Sequence, residues 1–343
     1  MKGLVVSAEH RLELRELGAP EPGPYEALVR IHACGICGTT DRELIAGTQP
    51  YNEDYPCLLG HEAIGEVVRT GDRVTSFASG DLVTRPVGIW PGERRDGLSS
   101  AWGGFAEFGI VRDRLAMAAD GDHRLDQDYT AVRQNRIDAA GLGIRELVLA
   151  ISLAETASWS WQLALGGRSV CVAGTGIAGL SIALWAKLAG ARRVLVLGRR
   201  APRLELARAV AADAAFDTGE PGWEERVRTD AGGAIDVFCD AIGSPELLRS
   251  GIGLLAPGGT AAVYGVAPSG STAIDPASLT EGRRLVTPSA DEHRAYPWVL
   301  DALRRGLVPV ERLMTHAWPL AAYETAFAAA ASGSVVKGML EIA

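Results

Sequence analysis

A chain of 343 residues is long enough for about two domains at ~150 residues each, which excludes a single small binding module. Hydrophobic residues make up 47% and charged residues 22%, values that exclude disordered and collagen-like chains. With 34 Lys and Arg against 42 Asp and Glu the net charge is −8, so the surface repels phosphate backbones and no nucleic-acid partner is expected.

The 41 glycines are about 12% of the chain against a usual ~7%, which points to tight turns and close backbone approaches. Residues 1 to about 118 read as short strands, among them 4–6, 27–31, 65–68, 81–84 and 105–111, separated by Gly, Pro and Asp turns. The stretch 120–138 is charge-rich and reads as a solvated helix or loop. From Val170 onward strands at 170–173, 194–197, 235–239, 260–264 and 284–287 alternate with helices at 177–189, 203–212 and 245–255. Such alternation demands a parallel sheet with right-handed crossovers. Helices return at 296–305 and 321–331, and 337–342 reads as a final strand. The expected organisation is a β-rich domain over 1–150, completed by 291–343, around a nucleotide-binding α/β domain over 151–290.

The five cysteines, 34, 37, 57, 171 and 239, are an odd number, and the N-terminus has no apolar leader, so a reduced cytoplasmic protein is expected. The longest uncharged run, 169–186, raises a transmembrane question. Gly174, Gly176 and Gly179 fall inside it and fit a strand-turn-helix unit better, so no membrane partner is expected.

Gly174-Thr175-Gly176-Ile177-Ala178-Gly179 is a G-x-G-x-x-G that follows an apolar strand and opens a helix. In that context the glycines permit a tight turn, close approach of a pyrophosphate and close helix packing. The helix N-terminus offers free N–H groups to the phosphates. The next strand ends at Leu197-Gly198-Arg199-Arg200, with Gly198 where an NAD-binding carboxylate would stand. Gly198 removes a charge that would repel a 2′-phosphate, and Arg199 and Arg200 can grip one, so NADP(H) is expected over NAD(H). Charge-assisted bonds of ~1.5–3 kcal/mol correspond to a preference of ~10–100-fold.

Cys37 and His61 form a second constellation, in Cys34-Gly35-Ile36-Cys37-Gly38-Thr39-Thr40-Asp41 and Leu59-Gly60-His61-Glu62. Thiolate plus imidazole suits zinc, and a catalytic zinc takes three protein ligands and an open position. Cys34 and Cys37 are a lone C-x-x-C with neither a second pair nor a thioredoxin-like setting, so a zinc ribbon and a redox pair are both disfavoured.

Taken together, Cys37-Gly38-Thr39, Gly60-His61-Glu62, Trp102-Gly103-Gly104-Phe105-Ala106-Glu107, the loop from Gly174 to Gly179 and Ala256-Pro257-Gly258-Gly259 resemble the zinc-dependent alcohol dehydrogenases of the medium-chain dehydrogenase/reductase superfamily. Thr315, His316 and Lys337 also look like family positions. Within the family, residues 41–45 and 197–200 look most like the glucose dehydrogenase branch. The resemblance implies a GroES-like catalytic domain beside a doubly wound Rossmann domain, and zinc held by Cys37, His61 and an acid ahead of the dinucleotide strand. Glu155 is the best match for that acid, and Glu62 is an exchangeable ligand in some members. The family motif gains a residue here, which leaves open whether Thr39 or Thr40 relays the proton and whether Asp41 reaches His61. No cysteines lie between Thr84 and Ala101, so one catalytic zinc and no structural zinc is expected. The implied activity is hydride transfer between NADP(H) and the alcohol or ketone of a sugar, cyclitol or other polyol by a homodimer or homotetramer. Cys37, Thr39, His61 and Glu62 are the expected catalytic residues. A metal-free reductase of activated double bonds and a non-catalytic NADP-binding sensor are the competing readings.

Overall fold

The computed structural model describes residues 1–49, 54–265 and 272–342, which divide into two compact units, Met1–Ile151 with Tyr296–Ala343 and Ser152–Ala295. The segment from Thr48 to Tyr55, where the sequence offers candidate substrate-pocket residues, is described only in part, since 50–53 fall outside those residues.

In the first unit the long strand Glu26–Ile36 is the organiser. It pairs antiparallel with Ala63–Thr70, with Phe108–Arg112 and with the C-terminal strand Lys337–Glu341. Its pattern of buried Ala27, Val29, Ile31 and Ala33 is the period-two alternation of a strand with one face on a core. Near its end the alternation gives way to continuous burial through Cys34, Gly35 and Ile36. A second, four-stranded sheet contains Leu12–Glu16, Lys2–Val6, Cys57–Leu59 and Ser99–Ala101 in that order. Leu4, Ile31, Leu59 and Phe105 share one apolar core.

The charged stretch 120–138 is less solvated than its composition predicts. It holds a 3-10 turn at Ala131–Arg133 and a short strand at Arg136–Ile137, and it buries Thr130, Ala131, Gln134 and Asn135. Gln134 supplies the reason: its amide donates to the carbonyls of Arg85 and Ile110 and its Oε1 accepts from the Arg112 N–H.

The second unit is a six-stranded parallel sheet. In chain order its strands are Ser169–Ala173, Arg193–Gly198, Ala214–Asp217, Ile235–Asp240, Leu255–Val263 and Arg284–Val286, and in space they follow the order 3-2-1-4-5-6. This is the doubly wound dinucleotide-binding arrangement. The central strands are buried along their length, as a sheet covered on both faces requires. Strand Ala214–Asp217 and helix Trp223–Ala231 escaped the sequence reading because Ala-Ala-Phe-Asp has little strand character of its own. Among the described residues no helix is long and apolar enough to cross a membrane, and 169–186 is a strand, a turn and the helix Ile177–Leu188.

Candidate active site

Cys37 sits where strand Glu26–Ile36 ends and helix Thr40–Ala46 begins; His61 and Glu62 occupy the turn between Cys57–Leu59 and Ala63–Thr70. That turn needs Gly60, whose φ is 113° and where a Cβ would meet the Phe105 nitrogen at 2.5 Å. One donor atom from each of Cys37, His61 and Glu62 lies within 4.8 Å of the others.

Asp41 ties the group together. Fully buried, it accepts the Cys37 N–H at 2.8 Å through Oδ2 and places Oδ1 3.3 Å from His61 Nδ1. The question left open by the extra threonine is answered here: Asp41 does reach His61, because the helix starts at Thr40 and turns Asp41 inward in its first turn. A carboxylate behind a ligating imidazole fixes its tautomer and orientation. Thr39 is exposed and makes no side-chain cap, and Thr40 is half-buried.

The ionisable groups of this cluster shift one another. Burial pushes the Cys37 thiol up, but its hydrogen bond and attraction to His61 outweigh that and hold it below the ordinary range. Burial pushes His61 down, and Asp41 and Cys37 together raise it well above its ordinary value. Glu62 is also buried, yet Lys337 first and His61 next hold its carboxyl well below the usual carboxylate range, with Arg85 adding to the effect. Lys337, 1% exposed, makes an ion pair with Glu62. Gly35 makes room for the pair, since a Cβ there would meet Glu62 Oε2 at 2.7 Å and Lys337 Cε at 3.0 Å. Thr315 braces the Lys337 strand by donating to the Lys337 carbonyl and accepting the Val336 N–H. Lys337 and Gly35 were visible in sequence only as motif positions; that they enclose Glu62 is a result of strand pairing.

In the second unit Gly174 adopts a φ of 125° and donates its N–H to the Leu197 carbonyl. At Gly179 a Cβ would meet the Gly174 oxygen at 2.2 Å, so the helix packs directly on the turn. The helix Ile177–Leu188 begins at Gly176 with no side-chain cap, which leaves its first N–H groups to an anion, and Thr175 to Ala178 are the accessible part of the loop. Gly198 is buried, and a Cβ there would meet Thr175 Cγ2 at 2.8 Å. Arg199 and Arg200 are exposed beside it at the start of helix Ala201–Val210. Arg203 in that helix is a cation the sequence reading missed; it is 8% exposed, and burial together with the Arg200 charge lowers its pKa. Glu155 lies half-buried on helix Ile144–Ser160, beyond the division between the units.

Residues 23–120 match the alcohol dehydrogenase GroES-like domain and residues 178–304 match the zinc-binding dehydrogenase domain. A probable alcohol dehydrogenase of Mycobacterium tuberculosis is 30% identical over 91% of this chain and 89% of its own length. The chain belongs to the zinc-binding alcohol dehydrogenases of the medium-chain dehydrogenase/reductase superfamily. An L-threonine 3-dehydrogenase of Saccharopolyspora erythraea is 28% identical over 99% of both chains. Among solved structures, a putative zinc-binding dehydrogenase from Sinorhizobium meliloti bound to NADP superposes with a TM-score of 0.81 at 26% identity, covering 99% of this chain and 98% of that one. Benzyl alcohol dehydrogenase from Acinetobacter calcoaceticus shares the fold, with a TM-score of 0.86 at 20% identity over 100% of this chain and 99% of that one. Membership makes the chain an oxidoreductase of the alcohol dehydrogenase type, a class that goes with zinc and a nicotinamide cofactor.

Proposed function

We propose that the protein transfers hydride between NADP(H) and the secondary alcohol or ketone of a sugar, cyclitol or other polyol, as the glucose dehydrogenase-like motifs suggest. The observation that carries the reading is the Cys37, His61 and Glu62 donor group, a sulfur, an imidazole and a carboxylate of the kind zinc takes, backed by a buried carboxylate. Cys37 and His61 would hold one zinc, with Glu62 or Glu155 completing the set. Bound there, zinc supplies Lewis acidity to a substrate oxygen, and the nicotinamide exchanges the hydride.

The chain's own residues do the rest. Asp41 keeps the imidazole aimed and the Cys37 backbone fixed. Lys337 holds Glu62 ionised. The hydroxyl of Thr39 or Thr40 hands the substrate proton toward solvent. Gly174 to Gly179 bind the pyrophosphate, and Gly198 with Arg199 and Arg200 select the 2′-phosphate. Asp217, alongside Gly198 on the neighbouring strand, accepts the Gly219 N–H in its own turn. The NADP-bound relative supports the same cofactor. The absence of a cysteine lobe between Thr84 and Ala101 supports one zinc per chain. The five cysteines, an odd number, fit a reducing, cytoplasmic setting, and a homodimer or homotetramer is the expected assembly.

Metal analysis of the purified chain should give about one zinc per chain, and Cys37→Ser should abolish turnover while leaving NADPH binding nearly intact. A metal-free preparation that still oxidises alcohols would overturn the reading. Because relatives include L-threonine 3-dehydrogenases, the substrate screen pairs sugars and cyclitols with β-hydroxy amino acids.

A further inference from the structure

A chain of contacts runs from the surface to the back of His61, and the zinc and cofactor assignments leave it without a task. Arg85 is 3% exposed, has a φ of 53° and donates from Nη1 to the His61 carbonyl at 2.5 Å. Its guanidinium lies 5.7 Å from the centroid of the Trp102 ring. Trp102 also has a positive φ, 71°, and meets the Tyr129 ring edge-on at 6.0 Å. Over the Tyr129 ring, 3.7 Å from its centroid, sits the Arg133 guanidinium, which also donates to the Tyr129 carbonyl.

Three bonds fix Trp102 against the site. Its carbonyl accepts the Gly88 N–H at 2.7 Å, its N–H donates to Ser100 Oγ, and two residues on the Gly104 N–H donates to the carbonyl of Gly60, the residue before His61. Gly88 itself has no room for a side chain, because a Cβ would meet Leu58 Cδ2 at 2.4 Å. Bulky side chains held at positive φ are strained, and such strain persists where the surroundings over-determine it, which is common at ligand clamps. Tyr129 nevertheless stays 64% exposed, so this bracing presents an aromatic surface that packing does not consume. Arg133 lies over one face of the Tyr129 ring.

Resting on the oxidoreductase reading above, we propose that Trp102 and Tyr129 form the specificity wall of the active site and receive the C–H face of a cyclic polyol. A sugar or cyclitol ring carries its hydroxyls round the edge and gathers C–H groups on a face, which packs on an aromatic ring while the hydroxyls stay hydrated. An open-chain alcohol has no such face. Rigid aromatic side chains give this contact area with little entropy loss, and Arg85 links the wall to the His61 backbone as a positioning residue.

The test compares wild type with Tyr129→Ala and Trp102→Phe, using D-glucose and myo-inositol against 2-butanol and 2,3-butanediol with NADP. Zinc content and NADPH binding serve as folding controls. Tyr129→Ala should lower the ring-to-open-chain ratio of kcat/KM by about tenfold or more, mainly through KM, and Trp102→Phe should retain most of the ratio. Calorimetric titration with the ring polyols reads the same wall without turnover. An unchanged ratio, an equal loss on both substrate classes, or a wild type that turns over only open-chain alcohols overturns the wall. If wild type oxidises no alcohol yet binds a ring polyol through Tyr129, the wall stands and the oxidoreductase reading fails; if it does neither, both fall.

Discussion

The two units of this chain handle polarity in opposite ways. The first buries Asp41, Glu62, Arg85 and Lys337 and makes them answer one another, so its chemistry resides in side chains gathered from residues 37 to 337. The second builds its working loop from positions where a side chain would not fit, Gly179 and Gly198, and from a helix end with no side-chain cap. A site made of charges is sensitive to loss of a partner; a site made of backbone is sensitive to gain of an atom.

The largest effect should come from breaking the charge set. Lys337→Met leaves the Glu62 carboxylate buried without its cation, and we expect about 3–5 kcal/mol of lost stability in chemical unfolding, largely recovered in the double variant Lys337→Met with Glu62→Gln. If the single variant unfolds like wild type, the pair is not what neutralises Glu62. Next, Gly179→Ala drives a methyl group against the Gly174 oxygen and should cost about 1–3 kcal/mol and weaken cofactor binding, measured by NADPH fluorescence titration. Unaltered binding would show that the turn has slack.

A smaller change separates the two nicotinamide cofactors. Arg199→Ala together with Arg200→Ala should reduce the NADP-over-NAD ratio of kcat/KM by about 10–100-fold, and a constant ratio would remove these arginines from the cofactor assignment.

The finest contrast is in acid. Asp113 of the first unit is buried; burial alone would raise its carboxyl, but the N–H groups of Ala116, Ser76 and Thr75 outweigh that and depress it. Asp240 of the second unit is buried too and accepts the N–H groups of Ile242 and Gly243, but desolvation prevails and its pKa is raised. A depressed carboxyl contributes stability that is present above its unfolded value near ~3.9 and lost as pH falls through the folded value; a raised one contributes below the unfolded value and loses that as pH rises through the folded one. Asp113→Asn should therefore destabilise more at pH 7 than at pH ~2.5, and Asp240→Asn less at pH 7 than at pH ~4, with differences of about 1 kcal/mol in urea unfolding. Equal penalties at both pH values would contradict the assigned directions.

The sequence determined a good deal by itself. Runs such as Val-Cys-Val-Ala ahead of Gly-Thr-Gly announced the parallel sheet and its phosphate loop, because a strand, a tight turn and a helix are specified by neighbours in the chain. Cys37 and His61 could be named as metal donors from residue type and motif. What only the tertiary structure decided is how distant residues meet: that Asp41 turns inward to His61, that Lys337 arrives beside Glu62 on a strand paired with Glu26–Ile36, and that Gln134 anchors a stretch whose charges read as surface. Local pattern records which face of an element is apolar, whereas the pairing of two buried charges far apart in the chain is fixed by sheet register and by the cost of leaving either of them alone away from water.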